Sequence, residues 1–178
     1  MEGLEDFAPA QVIVEQNNYL RRLEAGELEV RYLRNYADLT PETHVADSLL
    51  ATILEPHRGK VVYADFWGSW CGPCKEQLKH MQAVKDELKG KDVVYLYFAN
   101  NTPEDVRQVI VKKLGLYGDN IFHYNLPYEQ QESIERLLGV TRFPTFMLFD
   151  KNGKLVSSDA PFPQYLDALI NEINKCLE

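Results

Sequence analysis

Apolar positions change their period along the chain, and the changes divide it into segments. Between Pro9 and Ala25, Val12, Ile13, Tyr19, Leu20 and Leu23 recur every three to four residues and Gly26 follows, predicting an amphipathic helix with a glycine stop. From Leu28 to Tyr36 two periods fit at once: Leu28, Val30 and Tyr32 alternate as in a strand, while Leu33 and Tyr36 restore a helical spacing. Thr40-Pro41 reads as an N-cap followed by proline at the first helical position, with Val45, Leu49 and Ile53 forming a stripe up to Pro56. The N-terminal third is therefore predicted to be mostly helical.

After Gly59 the pattern shifts. Val61 to Phe66 and Val93 to Phe98 are short, nearly continuous apolar runs, as expected of strands buried on both faces. A helix from Pro73 to Lys89, closed by Gly90, is predicted between them, and Thr102-Pro103-Glu104-Asp105 opens another that runs to Leu114-Gly115. Strand, helix, strand, helix implies parallel pairing through crossover helices. Thr145 to Phe149 is the next strand, and Asp150-Lys151-Asn152-Gly153 turns it into an antiparallel partner at Lys154 to Ser158. A last helix spans Pro163 to Cys176, with Leu166, Leu169, Ile170 and Ile173 on its buried face. The 46 residues from Ala99 to Pro144 exceed a single crossover helix. A short strand at Ile121 to Tyr124 and a helix at Glu129 to Leu138 are assigned there, making about 99–144 an α/β insertion.

Composition narrows the function. The chain has 178 residues, 45% hydrophobic, with 19 Lys+Arg against 27 Asp+Glu and a net charge of −8. That length supports one domain with additions, and the hydrophobic content is that of a globular chain. An acidic chain without a basic run lacks the positive patch that nucleic acid or an anionic membrane requires. No apolar stretch approaches the ~20 residues that span a bilayer. Met1-Glu2-Gly3-Leu4-Glu5-Asp6 is acidic where a signal peptide is basic, so the chain is read either as cytosolic or as following a removed leader or upstream domain.

Three cysteines are too few for a disulfide scaffold. Two of them stand in Trp70-Cys71-Gly72-Pro73-Cys74, where a buried strand gives way to a helix. A cysteine at a helix start faces unpaired N–H groups and the positive end of the dipole, which favour thiolate, so Cys71 is the expected nucleophile. Cys74, one turn on, is placed to attack a mixed disulfide on Cys71 and release the reduced substrate. Pro73 costs no hydrogen bond in the first turn and stiffens it. A zinc site is the competing reading, but zinc wants four ligands, there is no second CxxC, and His44, His57, His80 and His123 are scattered, so no metal is expected. Cys176 falls on the stripe with Leu169 and Ile173 and reads as a buried small hydrophobe.

Asp65-Phe66-Trp67-Gly68-Ser69-Trp70-Cys71-Gly72-Pro73-Cys74-Lys75 resembles the active-site segment of thioredoxin-fold proteins, and Phe143-Pro144-Thr145 resembles their cis-proline loop. Gly59-Lys60-Val61-Val62, the insertion and Asp150-Lys151-Asn152-Gly153-Lys154 are closer to the TlpA/ResA-type thiol-disulfide oxidoreductases than to cytosolic thioredoxin. The resemblance covers Leu49 to Cys176. It implies a thioredoxin-like α/β fold, a central mixed sheet flanked by helices, carried by residues 46–178 behind a helical extension at 1–45. It also implies roles. Asp65, desolvated in its strand, would take a proton from Cys74, although Asp is also a common helix cap. Pro144 would be cis, against the trans base rate, and would set the Phe143 backbone beside Cys71 for a substrate strand. Trp70, Gly72 and Pro73 would complete the substrate surface, with Trp67 either sharing that role or lying in the core. No cofactor beyond the Cys71–Cys74 disulfide is implied.

Three departures bear on these roles. Lys79 stands where such helices usually carry proline, which predicts a straighter helix. Val93 to Phe98 has no lysine to neighbour Asp65, and Gly72 replaces the glutamate of cytochrome-maturing members. The implied activity is exchange of disulfides with protein substrates, chiefly as a reductase fed by an upstream electron-donor protein, from a monomer. The resemblance favours the bacterial envelope or periplasm, with the cytoplasm left open. A peroxidase is disfavoured because no further thiol is placed to resolve one. The alternative function is a redox-sensing binding module whose N-terminal helices dock a partner. A stripe of that size more often packs on its own domain.

Overall fold

Seven consecutive buried residues, Val61–Trp67, form the central strand β1 of a computed structural model that describes residues 46–178. The predicted helix at Pro9 to Ala25, the undecided segment from Leu28 to Tyr36 and the capped start at Thr40-Pro41 lie outside the described residues. Helix α1 (Ala46–Leu54) and a short 3-10 turn (Glu55–His57) lead into β1. There follow α2 (Gly72–Leu78), α3 (Met81–Glu87), β2 (Val93–Ala99), α4 (Glu104–Lys113), β3 (Ile121–Tyr124) and α5 (Tyr128–Leu138). β4 (Thr145–Phe149), β5 (Leu155–Ser157) and α6 (Leu166–Leu177) complete the chain.

The five strands lie in the order β3-β2-β1-β4-β5. β1 pairs parallel with β2, and β2 with β3, as crossover helices require. β4 runs antiparallel to both β1 and β5, the latter through the predicted turn, where Asp150 Oδ1 accepts from the N–H groups of Asn152 (2.8 Å) and Lys154 (2.9 Å). The mixed sheet flanked by helices is the expected fold.

Strand alternation sends the side chains of β1 to two different cores. Val61, Tyr63 and Trp67 pack with Leu78, Met81, Val84, Leu169 and Ile173, so one face is covered by α2, α3 and α6. Val62, Ala64 and Phe66 pack with Leu49, Ile53 and Ile134, so α1 and α5 cover the other. The inserted strand joins the sheet and the inserted helix closes its second face.

One expectation fails. The helix predicted to run unbroken and straighter for lack of a proline is interrupted at Lys79-His80. There the N–H of Lys79 donates to the carbonyl of Glu76 and that of His80 to Gln77, three residues back instead of four. Burial and tethering explain this without proline. Leu78 and Met81, three apart, are both buried, and a 3-10 turn eclipses such positions. The carboxamide of Gln77 is tied to Gln164, donating to its Oε1 (2.9 Å) and accepting from its N–H (3.2 Å).

Candidate active site

β1 ends at Trp67, and the loop from Gly68 to Trp70 delivers Cys71 to the start of α2. Cys71 is itself the N-cap: its backbone is extended, and its Sγ accepts a hydrogen bond from the Cys74 N–H at 3.1 Å. Cys71 and Cys74 are joined, S–S 2.05 Å with Cα atoms 5.3 Å apart. Cys74 is 1% exposed and Cys71 5%, so Cys71 is the less enclosed of the two residues. Gly72 and Pro73, between them, are exposed. A thiolate on Cys71 would find the Cys74 N–H already aimed at it, a charge-assisted bond that favours ionisation.

Asp65 lies six residues before Cys71 on the face of β1 that packs under α2, the face of Tyr63 and Trp67. It is 2% exposed, and neither carboxylate oxygen has a hydrogen-bond partner among the described residues. It caps no helix. Burial holds its pKa well above the usual carboxylate range. Its partner in the β2 register is Tyr97. The hydroxyls of Tyr63 and Tyr97 are pushed up by burial first and by Asp65 second. Trp67 is wholly buried, which settles it as core.

Trp70 is 54% exposed yet held at both edges. Its Nε1–H donates to the Asn100 carbonyl at 3.1 Å, and its ring meets Phe143 edge-on, centroids 5.2 Å apart and planes at 72°. The Phe143–Pro144 peptide bond is cis. Pro144 is buried beside half-buried Phe143, at the head of β4. The fold thus brings Asp65, Trp70, Cys71, Gly72, Pro73, Cys74, Phe143 and Pro144 to one end of the sheet.

Sequence reasoning missed the support beneath Trp70. A Cβ on Gly68 would lie 2.5 Å from Trp70 Nε1, so only glycine lets the indole lie there. The Asn100 N–H donates to the Trp67 carbonyl (2.8 Å), and its carbonyl accepts from Trp70 and from Thr102 Oγ1 (2.9 Å). Thr102 Oγ1 in turn accepts from the Ser69 N–H at 2.9 Å. The Asn100 carboxamide donates to both carboxylate oxygens of Glu135 on α5, at 2.9 and 3.0 Å, and Gln131 donates to one of them at 2.7 Å. The available signal was positional: Asn100 follows the strand next to β1, and loops at the carboxyl ends of parallel strands converge on sites.

Cys176 is half-buried against the first core, with its thiol pushed up by burial first and then by Asp150 and Glu172. It is less enclosed than its stripe predicted. Among the described residues there is no cluster of three or more metal-ligating side chains, and no helix is long and apolar enough to cross a membrane.

Residues 59–155 match the profile of the thioredoxin-like family. The thiol-disulfide oxidoreductase ResA of Geobacillus thermodenitrificans is 28% identical over 102 residues, which is 57% of this chain and 55% of that protein. The chain thus spans about half the length of that relative. Among solved structures, the thioredoxin domain of a thiol-disulfide oxidoreductase from Bacteroides vulgatus superposes with a TM-score of 0.59 at 21% identity, covering 70% of this chain and 84% of that one. The pneumococcal exposed lipoprotein thioredoxin of Streptococcus pneumoniae gives a TM-score of 0.55 at 28% identity, covering 68% and 89%.

Proposed function

From a chain that belongs to the thioredoxin-like family, we propose a protein-disulfide oxidoreductase that works through Cys71 and Cys74, chiefly as a reductase. The observation that carries this reading is the Cys71–Cys74 disulfide at the start of α2, with Cys71 the less enclosed residue and its sulfur already accepting the Cys74 N–H.

In the dithiol form the Cys71 thiolate attacks one sulfur of a substrate disulfide. The substrate's other sulfur leaves as a thiolate and is protonated, and a mixed disulfide remains on Cys71. Asp65, whose raised pKa makes its carboxylate a stronger base than an exposed one, accepts the Cys74 proton in its ionised form as Cys74 attacks Cys71 Sγ. The second substrate thiol is released and the Cys71–Cys74 disulfide returns, so the substrate gains the two electrons and two protons that the pair loses. A dithiol donor protein restores the pair by the same exchange in reverse. Trp70 supplies an apolar platform, exposed Gly72 and Pro73 let a polypeptide approach the sulfur, and the backbone at Phe143-Pro144 offers a strand edge. We place the protein in the bacterial envelope, a reading supported by the likeness to an exposed lipoprotein thioredoxin.

The test is reduction of insulin disulfides by the dithiol form. Cys71→Ser is expected to abolish it, and Cys74→Ser to accumulate mixed disulfides through Cys71. Undiminished turnover by Cys71→Ser overturns the assignment.

A further inference from the structure

Beside the Trp70 loop lies a groove of about 560 Å³, bounded by Asn100 to Pro103 after β2 and by Asn125 to Tyr128 and Gln131 at the start of α5. It adjoins the disulfide's surroundings through Asn100 and through Thr102, whose Oγ1 accepts from the Ser69 N–H. Asn100 lines the groove, and its carbonyl holds the Trp70 indole. The same indole packs on Phe143. Trp70 therefore stands between two places, the Phe143-Pro144 edge and the groove. A cysteine within a protein has chain leaving it in two directions, so a polypeptide disulfide lying on Trp70 has to be accommodated on both sides.

The lining indicates what kind of chain fits. None of its side chains is charged, which disfavours a phosphate, a nucleotide or a cationic ligand. The carboxylates behind it are already engaged: Glu104 by Arg107 and Asn125, Glu135 by Asn100 and Gln131. Gln131 is 2% exposed, and because its Nε2 donates to Glu135, the carboxamide orientation is set and Oε1 is left without a partner among the described residues. A buried acceptor in that state is stabilised by a donor such as a main-chain N–H. Leu126 supplies an apolar wall, and at the lip the Tyr128 ring, 69% exposed, offers a surface for a side chain.

Resting on the disulfide-exchange reading above, we propose that this groove is a second substrate subsite. It holds the substrate polypeptide on the side of its reactive cysteine away from Phe143-Pro144, with Gln131 Oε1 accepting a main-chain N–H and Tyr128 covering a side chain.

The experiment compares two disulfides on the full chain, insulin and the non-peptidic hydroxyethyl disulfide, in the wild type, Tyr128→Ala and Gln131→Met. Tyr128 is a surface residue, so its variant keeps the test open if Gln131→Met folds poorly. In Tyr128→Ala the KM for insulin is expected to rise about fivefold with kcat within about twofold, as lost uniform binding requires, while kcat/KM for hydroxyethyl disulfide stays at the wild-type value. Gln131→Met is expected to shift the same way. Unchanged insulin KM in Tyr128→Ala, or an equal loss on both disulfides, overturns the subsite while leaving the disulfide chemistry standing. A wild type that reduces neither disulfide overturns the chemistry, and the subsite with it.

Discussion

Asp65 is enclosed on a face of β1 where neither of its oxygens is hydrogen-bonded among the described residues, and burial raises its pKa well above the usual carboxylate range. The unfolded chain releases the carboxyl proton near the ordinary value of about 3.9, whereas the native state holds it until its own raised pKa. Between the two values the native state binds the extra proton, so stability falls as pH rises, by up to about 1.4 kcal/mol per pH unit for one group. Asp65→Asn removes that slope. Denaturant unfolding of the oxidised protein from about pH 5 to 8 should therefore show wild type losing ground to the variant as pH increases. Parallel curves would mean that the native state does not raise the Asp65 pKa. The same variant cannot take the Cys74 proton, and insulin reduction at neutral pH is expected to slow about 100-fold. Stability and turnover thus move in opposite directions, a pattern that damaged packing does not produce.

At the scale of elements, α5 is an insertion by sequence pattern yet reaches the site through side chains. Removing its carboxylate in Glu135→Ala strands the Asn100 and Gln131 amides, at a cost of about 1–3 kcal/mol. It also frees the residue whose carbonyl anchors Trp70. Trp67 is fully buried, so the increase in acrylamide quenching expected of the variant reports on Trp70 alone. Glu135→Gln, which keeps an acceptor for Asn100, should fall between the two. Lower stability with unchanged quenching would leave Glu135 a structural residue only. This link also marks the limit of what could be read beforehand. Continuous apolar runs announced β1 and β2 because a strand covered on both faces admits little else, and Cys71 and Cys74 were legible because one helical turn sets their spacing. The Asn100–Glu135 pair spans 35 positions and the Gln77–Gln164 pair that accompanies the break at Lys79-His80 spans 87, and neither follows a local period. Such contacts exist only once the sheet order is known.

At the scale of the whole molecule, we propose a domain boundary at about residue 45, with 1–45 as an extension and 46–178 as the unit that carries the proposed chemistry. Among the described residues, Leu49 and Ile53 close one face with Ile134, while Leu169 and Ile173 close the other. The disulfide, Asp65, the Trp70 platform and its Glu135 support all lie within that unit. Deleting residues 1–40 is therefore expected to leave kcat/KM for insulin within about threefold of the full chain, because the disulfide and the groups assigned to it all remain. The sequence pattern of Val12 to Leu23 is that of a stripe that packs on its own domain, and on that expectation we propose that its loss lowers Tm measurably. An unchanged Tm together with lost capture of partners in a Cys74→Ser background would instead assign the extension to docking. Lost turnover would move the boundary, since the chemistry would then depend on residues before Ala46.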